Sequence, residues 1–357
     1  MPTLSGQQVV ETCITIFQAA GVSPQDSRVI AEHIARANLC GHDSHGIQNV
    51  SRLVSLVKKG SINPAGRWKV VRESAATALI DGDWAFGQVV CSGAVRLVIE
   101  KARAVGVGSA GIFNCSHIGR LGDYTTAIAE QGLIGMIYAN TLPGVAPFGG
   151  RTRVLGTNPV SYAFPTQADP IMVDFATSIV AEGKVRAAMH KGLPIPEGWI
   201  VDRNGNSTTN PKDLYPNPGE PISAGGALLP AAGHKGYSLA VTLDLLCGAL
   251  TGSGIGKEIK SGNGVFLQAI NIESFTPMTE YLAHVHRLIS ELKNAPPATG
   301  VEEILLPGEP ELQSKQKRLA EGIQVPDSAW QELVKTSKEL NVNIESIISG
   351  PTKASER

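Results

Sequence analysis

The sequence predicts a mixed α/β fold of three layers, with a sheet flanked by helices and further helices contributed by both ends of the chain. The first sixty residues place apolar side chains at helical spacing between start and stop signals. Strand-like and helix-like segments then alternate over residues 68–271, and helical spacing returns beyond Met278. Because 357 residues exceed one hydrophobic core, we predict a mainly helical domain from residues 1–75 and 280–357, and an α/β domain from residues 76–279.

The first two helices have local start signals. Ser5 and Gln8 form a capping-box pattern at the start of the first helix, and Gly21 follows its last apolar position. Ser23 is suited to cap the second helix, with Pro24 at the first helical position.

A third helix is predicted to end at Gly60, with Asp43 as its cap. This prediction places Ser44 and His45 in the first helical turn, beside backbone N–H groups that lack partners within the helix. Such a position would suit a carboxylate ligand.

The middle of the chain is predicted from alternation, turn residues and apolar runs. The expected strands lie within 68–80 and at 107–113, 133–140, 159–165, 170–175 and 263–271, and the expected helices at 88–104, 119–131, 178–191 and 236–251. Residues 192–230 are rich in Gly, Pro and Asn and are predicted to wrap over the surface.

Composition limits the classes of partner. The chain has 31 basic and 32 acidic residues, so no global field would attract nucleic acid or an anionic membrane. The N-terminus is neither basic nor apolar, and no run approaches the roughly 18 to 20 apolar residues of a membrane span. Five scattered cysteines fit a reducing compartment, so we expect a cytoplasmic protein.

Two glycine-rich segments imitate nucleotide-binding motifs. Residues 106–111 read G-x-G-x-x-G, but a predicted helix precedes them and a strand follows, the reverse of the dinucleotide motif. We interpret them as a helix end. Residues 252–257 hint at a phosphate loop, but Thr251 and Glu258 replace its required residues, so we interpret them as a flexible turn.

Two segments place a histidine beside a serine and a glycine at a predicted junction of loop and helix, Asp-Ser-His-Gly around His45 and Ser-His-Ile-Gly around His117. A histidine can deliver a proton to a carbonyl oxygen near neutral pH. Arg52 and Arg120 lie near them in sequence, and an arginine binds a carboxylate through two parallel hydrogen bonds. The pattern favours acid–base catalysis on an anionic substrate, although ordinary buried histidines are the alternative.

Two other clusters could line a cofactor. Asp174 ends a predicted strand and precedes small hydroxyl residues, whereas Lys235 lies in a Gly-His-Lys-Gly segment that lets the backbone approach a ligand. A plain helix entry is the alternative for the second cluster. His42 and His45 could ligate zinc, but no carboxylate or cysteine follows at ligand spacing, so no metal site is predicted. His33 is interpreted as a surface residue or a satisfied core residue.

Together these segments resemble the malate/L-lactate dehydrogenase family of the second type. The family also includes ureidoglycolate and sulfolactate dehydrogenases, 2,3-diketogulonate reductase and Δ1-piperideine-2-carboxylate reductase. The matching segments occur in family order over nearly the whole chain, at residues 43–46, 81–88, 114–124, 174–178, 183–185, 195–199, 233–237 and 306–309.

The resemblance implies reversible hydride transfer between NAD or NADP, with NAD favoured, and a small 2-oxo or 2-hydroxy acid. It implies a homodimer whose nucleotide site is a mixed sheet rather than a Rossmann fold. His45 and His117 match the active-site histidines, one of which transfers the proton, and Ser44 would assist at the carbonyl or carboxylate. The positions that match cofactor-lining residues are Asn140, Thr141, Asp174, Phe175, Ala176, Lys235, Gly308 and Glu309.

The chain departs from the family on the substrate side. The family has an arginine three residues after the Ser-His-Gly glycine and a tyrosine seven after it, both facing the substrate, but this chain has Asn49 and Leu53. Either Arg52 or Arg120 compensates for the missing cation, or the substrate differs from a simple 2-oxo acid. Asn49, Arg52 and Arg120 are thus the predicted substrate contacts.

Three alternatives remain open from the sequence. The first is a reductase of cyclic imino acids. The second is a metal-dependent hydrolase or lyase that uses His42, His45 and His117. The third is a binding protein that keeps the fold without catalysis.

Overall fold

The computed structural model describes residues 1–349, so the end of the predicted helical domain, residues 350–357, lies outside the described residues. The α-helices are α1 (Gly6–Ala19), α2 (Pro24–Leu39), α3 (Val50–Lys58), α4 (Gly87–Val105), α5 (Gly122–Ala129), α6 (Glu182–Lys191), α7 (His234–Leu243), α8 (Met278–Asn294), α9 (Glu309–Glu321), α10 (Asp327–Glu339) and α11 (Glu345–Ser349). The strands are β1 (Thr3–Leu4), β2 (Lys69–Glu73), β3 (Thr77–Asp81), β4 (Val107–Cys115), β5 (Leu133–Ala139), β6 (Pro159–Phe164), β7 (Ile171–Ala176), β8 (Ile200–Val201), β9 (Ser207–Thr208), β10 (Ala227–Leu228), β11 (Asn263–Asn271) and β12 (Ile323–Gln324).

A mixed sheet of seven strands forms the centre of the molecule, in the order β2-β3-β4-β11-β5-β6-β7. Only β3 and β4 pair in parallel; every other neighbouring pair in this sheet is antiparallel. As a consequence β3, β4, β5 and β7 all run in the same direction, and their carboxyl ends meet at one edge. This edge is called the carboxyl edge below.

Helices cover both faces of the sheet, as the three-layer prediction requires. Helices α4 and α5 pack on one face through buried side chains such as Val98 and Ile128, which join a core with Ile112 and Leu267 of the strands. Helix α4 approaches β4 so closely that a Cβ on Gly108 would lie 2.1 Å from the Val98 carbonyl oxygen. On the opposite face α7 continues into a π-helical turn, Asp244–Ala249, next to β5 and β11.

A second apolar core joins the two ends of the chain. It contains Phe17 and Ile34 from the first two helices together with Leu333 of α10 and Ile344. Strands β1 and β12 pair beside it, which the sequence analysis did not predict. The division into two domains with the stated boundaries stays a prediction.

The predicted third helix is wrong at its start. Residues Asp43–His45 and Ile47–Asn49 form two separate 3₁₀ turns, and the α-helix begins only at Val50. Asp43 caps no helix, because its carboxylate bonds to Asn38 and Arg318. Ser44 and His45 therefore project from a turn and not from a helix N-terminus.

The remaining differences concern irregular segments. Residues 192–230 do more than cover the surface, because β8, β9 and β10 form a small sheet with Ile200, Leu214 and Leu228 buried beneath it. Residues 106–111 are a helix end and strand entry as predicted, with Gly106 in a left-handed conformation at φ +91°. Residues 252–257 form a turn, as expected.

Candidate active site

Three of the predicted site segments meet at the carboxyl edge of the sheet. His117 lies two residues after β4, Asn140 follows β5 directly, and Ala176 is the last residue of β7. The start of α7, which carries Lys235, is held at the same place by a bridge between Ser178 and Pro230. A topology with parallel strand ends at one edge thus brings together segments that are far apart in sequence.

The two predicted catalytic histidines are in contact. The imidazole rings of His45 and His117 stack with centroids 5.4 Å apart and planes inclined by 27°. Both rings are partly exposed. Ser44 Oγ lies 3.1 Å from Nδ1 of His45, and the backbone of Gly183 at the start of α6 packs beside the Ser44 side chain.

The hydrogen bonds distinguish the two rings. The backbone N–H of Gly119 donates to Nδ1 of His117 at 3.1 Å, which places the proton of the neutral ring on Nε2. Nδ1 of His45 faces a serine hydroxyl, which can either donate or accept. His45 can therefore gain or lose a proton without breaking a bond to the backbone, whereas His117 cannot.

Burial and neighbouring cations keep both rings neutral. Burial, followed by the charges of His42 and His33 and of Arg120 and Arg52, lowers the pKa of His45 to about 4. The pKa of His117 lies well below its usual value, first because of burial and then because of His45 and Arg52. At neutral pH the pair is ready to accept a proton, and an anionic ligand would raise the pKa of both histidines.

The predicted substrate residues separate into two groups. Nη1 of Arg52 lies 3.4 Å from Oδ1 of Asn49, and Arg52 is near enough to lower the pKa of both His45 and His117. Leu53, by contrast, is completely buried in the helical core with Phe17 and Ile34. Leu53 therefore belongs to the apolar core and not to the predicted substrate contacts.

Arg120 is already paired. Its side chain is 5% exposed, with Nη1 2.7 Å from an oxygen of Asp123 and Nε 3.9 Å from Asp174. Asp174 in turn accepts a hydrogen bond from the backbone N–H of Gly122. The Arg120 guanidinium therefore neutralises buried carboxylates and is less available to a substrate than Arg52.

The positions matched to the cofactor form an extended row. Asp174, Phe175 and Ala176 lie on β7, with Phe175 47% exposed. Gly308 packs against Met172 at the start of this strand, and the α7 N-terminus lies beyond its end. The five strand residues from Met172 to Ala176 span about 13 Å, a length suited to an extended dinucleotide.

The polar groups of this row differ in availability. The amide of Asn140 donates to Gly254 and accepts from Gly264, and Thr141 accepts from Thr157, so these residues hold the loops in place. Glu309 is paired with Lys293. Within residues 1–349 the ammonium of Lys235 has no hydrogen-bonding or ion-pair partner, and the side chain is exposed.

Two clefts lie beside the site and not at the histidine rings. One, of about 330 Å³, is bounded by α2, α5, β7 and α9 and is lined by residues that include Arg120, Met172 and Gly308. The other, of about 440 Å³, lies between α2, α4 and α5 and is lined by Arg36 and Arg103 among others. The first cleft therefore joins a predicted substrate residue to a predicted cofactor residue.

The sequence analysis missed the residues that hold the two histidine segments. His33 is 1% exposed, and its Nε2 accepts a hydrogen bond of 2.9 Å from the backbone N–H of Arg120. Its other ring nitrogen lies 3.4 Å from Asp123, and the ring stacks on Tyr124. No local signal distinguishes such a histidine from any other helical one.

Comparison with known proteins gives the same family as the sequence motifs. A family model described as malate/L-lactate dehydrogenase matches residues 4–334. A malate dehydrogenase of Pyrococcus abyssi is 37% identical over 335 residues, which are 92% of each chain. An L-sulfolactate dehydrogenase of Methanocaldococcus jannaschii is 38% identical over 343 residues, 94% of this chain and 96% of the relative.

Solved structures are also similar to this chain over nearly its whole length. The structure of sulfolactate dehydrogenase from Methanocaldococcus jannaschii has a TM-score of 0.88 at 36% identity, covering 97% of this chain and 99% of that one. A Δ1-piperideine-2-carboxylate reductase from Pseudomonas syringae has a TM-score of 0.81 at 29% identity, covering 94% and 100%.

The mixed sheet and the similar proteins place the chain in a class of dehydrogenases. The chain belongs to the malate/L-lactate dehydrogenase family. The resemblance inferred from the motifs is thereby confirmed, as is the predicted α/β fold with a mixed sheet between helices. No helix among residues 1–349 is long and apolar enough to cross a membrane.

Proposed function

We propose that this protein catalyses reversible hydride transfer between a nicotinamide cofactor and a small 2-oxo or 2-hydroxy acid, with His45 and His117 as catalytic residues. The stacked histidine pair beside the carboxyl edge carries the proposal. It brings a proton-transfer group and a hydrogen-bond donor to the same point, next to the row of cofactor-matched positions.

His45 is proposed as the residue that transfers the proton. In the reducing direction the carbonyl carbon takes a hydride, which the nicotinamide would supply when bound. The carbonyl oxygen takes a proton from His45, which is protonated because the bound substrate carboxylate raises its pKa. His117 donates a hydrogen bond from Nε2 to the same oxygen and polarises the carbonyl. Ser44 accepts from protonated His45 and donates to the neutral ring, so it stabilises both states.

Arg52, with Asn49 beside it, is proposed to bind the substrate carboxylate. Arg52 is exposed, and its guanidinium can still turn towards an anion, whereas that of Arg120 is buried against Asp123. An arginine can form two parallel bonds to a carboxylate.

The proposed cofactor is NAD or NADP, with NAD favoured. The donor set fits a dinucleotide: Lys235 offers a free cation, and Phe175 an exposed aromatic face. Gly308, at φ +98°, lets the backbone turn closely at the start of α9, beside β7. Asn140, Thr141, Asp174, Ala176 and Glu309 are proposed to complete the site.

A cytoplasmic homodimer is proposed as the working form. Helix α8 supports self-association, because none of its seventeen residues is buried in the monomer although it carries an apolar stripe. Leu288 and Leu292 of this stripe are 52% and 40% exposed. Sedimentation of the purified protein as a single species of one chain mass would contradict this part of the proposal.

A second candidate is reduction of a cyclic imino acid. The structural similarity to a Δ1-piperideine-2-carboxylate reductase favours it, since a C=N bond needs the same hydride and proton. The metal-dependent alternative has no ligand set to support it, because residues 1–349 contain no group of three His, Cys, Asp or Glu side chains that could hold a metal ion.

The test uses the purified protein with NADH or NADPH and a panel of oxaloacetate, pyruvate, sulfopyruvate and Δ1-piperideine-2-carboxylate. We expect loss of absorbance at the reduced nicotinamide band with at least one 2-oxo acid, unchanged by a metal chelator. Activity on the imine alone would select the second candidate. Failure of both nucleotides to bind in calorimetry would overturn the proposal, and binding without any turnover would indicate a silent binding protein.

A further inference from the structure

The turn that carries Ser44 and His45 has little local support. It consists of one 3₁₀ turn closed by backbone bonds from His45 N to His42 O and from Gly46 N to Asp43 O. No residue of the turn is buried. A short exposed turn loses its conformation easily unless distant groups fix it.

Those distant groups come from α2 and α9. Arg318 of α9 binds the carboxylate of Asp43 through two hydrogen bonds, Nη1–Oδ1 at 2.5 Å and Nη2–Oδ2 at 2.9 Å. The same Nη1 donates to the backbone carbonyl of Asn38 at 2.6 Å. The side chain of Asn38 donates to Asp43 at 2.7 Å and accepts from Ile47 N at 2.7 Å.

Helix α9 touches the segment before the turn at several points along its length. Ser314 donates to the carbonyl of Leu39 at 3.0 Å, and Glu311 lies 3.4 Å from His42. The helix begins directly after Gly308, at the proposed cofactor row, and reaches the histidine turn through Arg318 near its end. One rigid element therefore connects the two parts of the site.

We propose that Arg318 is a positioning residue of the reaction, whose two-point bond to Asp43 holds the Ser44–His45 turn against His117. The inference rests on the proposed function of His45. A planar guanidinium fixes the carboxylate in direction as well as in distance, whereas a lysine ammonium would keep the charge and lose the direction. A displacement of about 1 Å in a catalytic group can cost about a hundredfold in rate.

The first measurement compares Arg318→Lys with a matched control, Arg203→Lys. Arg203 also bonds twice to a carboxylate, that of Glu220, but on the small sheet. We expect Arg318→Lys to lower kcat by about ten- to a hundredfold, with nucleotide affinity and melting temperature nearly unchanged. Arg203→Lys should keep the kcat of the parent. A kcat within twofold of the parent for Arg318→Lys, or equal losses in both variants, would overturn the proposal.

A double-variant cycle with Asp43→Asn tests whether Arg318 acts through Asp43. Combined with Arg318→Lys, this change should produce little further loss of kcat beyond the slower single variant, because both variants remove the bond between Arg318 and Asp43. Losses that multiply would show that Arg318 acts elsewhere.

Titration of the His45 imidazole by NMR gives a readout that needs no turnover. In Arg318→Lys the loosened turn should expose the ring, and its pKa should rise from about 4 towards the ordinary value, while the Arg203→Lys variant stays at the parent value. If the parent shows no turnover but this shift occurs, the proposed function fails and the positioning role stands. An unchanged His45 titration in Arg318→Lys would refute the positioning role.

Discussion

The bond from Gly119 N to Nδ1 of His117 determines how the two stacked rings can share the chemistry. Protonation of that nitrogen would break the bond and leave two N–H groups facing each other. His45, next to a hydroxyl group, has no such restriction. The two rings therefore have similar neighbours in sequence but differ in which nitrogen can be protonated. A pattern of Ser, His and Gly alone could not show this difference.

Replacement by alanine and by glutamine should separate the roles of His45 and His117. His45→Ala and His117→Ala should each lower kcat about a hundredfold or more, with nucleotide affinity nearly unchanged. His117→Gln should recover part of the loss because its amide can still donate a hydrogen bond, whereas His45→Gln should recover none because it cannot transfer a proton. Steady-state kinetics with direct nucleotide titration measure both, and recovery by His45→Gln but not by His117→Gln would reverse the assignment.

The starts of the first two helices could be predicted from capping residues close in sequence. The first helix has the predicted capping box, with Ser5 and Gln8 each bonding the other's backbone, and the second starts at Pro24 behind Ser23. The third failed because the carboxylate of Asp43 is taken by Arg318, 275 residues further along the chain. A local pattern could not reveal a competing partner so distant in sequence.

The candidate site was also only partly predictable from local patterns. His45 and His117 could be selected because their neighbours are unusual in sequence, and Lys235 because its glycines are. The state of Arg120 could not be predicted, since it depends on the burial of Asp123 and Asp174 beside it. Likewise, the sequence shows His33 only as one residue of a helix, and its contact with residues 116–120 depends on the tertiary fold.

Helix α2 holds the His117 segment through His33. A Cβ on Gly119 would lie 2.2 Å from Nε2 of His33, so the segment packs directly on this ring. His33→Gln can keep an acceptor for the Arg120 N–H, whereas His33→Phe leaves that buried donor unpaired at about 1–3 kcal/mol. We expect His33→Phe to lower kcat about tenfold or more and His33→Gln to stay within about threefold of the parent.

The measurement is kcat together with the KM of the 2-oxo acid and the melting temperature. A positioning role predicts that His33→Phe loses kcat even at temperatures where it is fully folded. Equal kcat in the two variants, with a difference in melting temperature only, would assign His33 to stability alone.

For the whole molecule, histidines that are neutral in the folded state make stability depend on pH. Burial is the main cause that lowers the pKa of His33 and of His45 to about 4, and it also lowers that of His117. In the unfolded chain these rings titrate near 6.5. Between the two values the unfolded state binds more protons than the folded state, so the free energy of unfolding falls as the pH falls.

His33, whose side chain is almost completely buried, should contribute measurably to this pH dependence. From pH 7.5 to pH 5 the unfolded chain becomes protonated at this position and the folded chain does not, which costs about 2 kcal/mol of stability. Urea unfolding at constant protein concentration should therefore show a smaller fall between these pH values for His33→Gln than for the parent, by about that amount. Asp123, whose pKa is lowered by the adjacent cations despite its burial, should contribute only below this range. An equal fall in both proteins would show that His33 is not neutral in the folded state, and the hydrogen bond from the Arg120 backbone to Nε2 would then need another explanation.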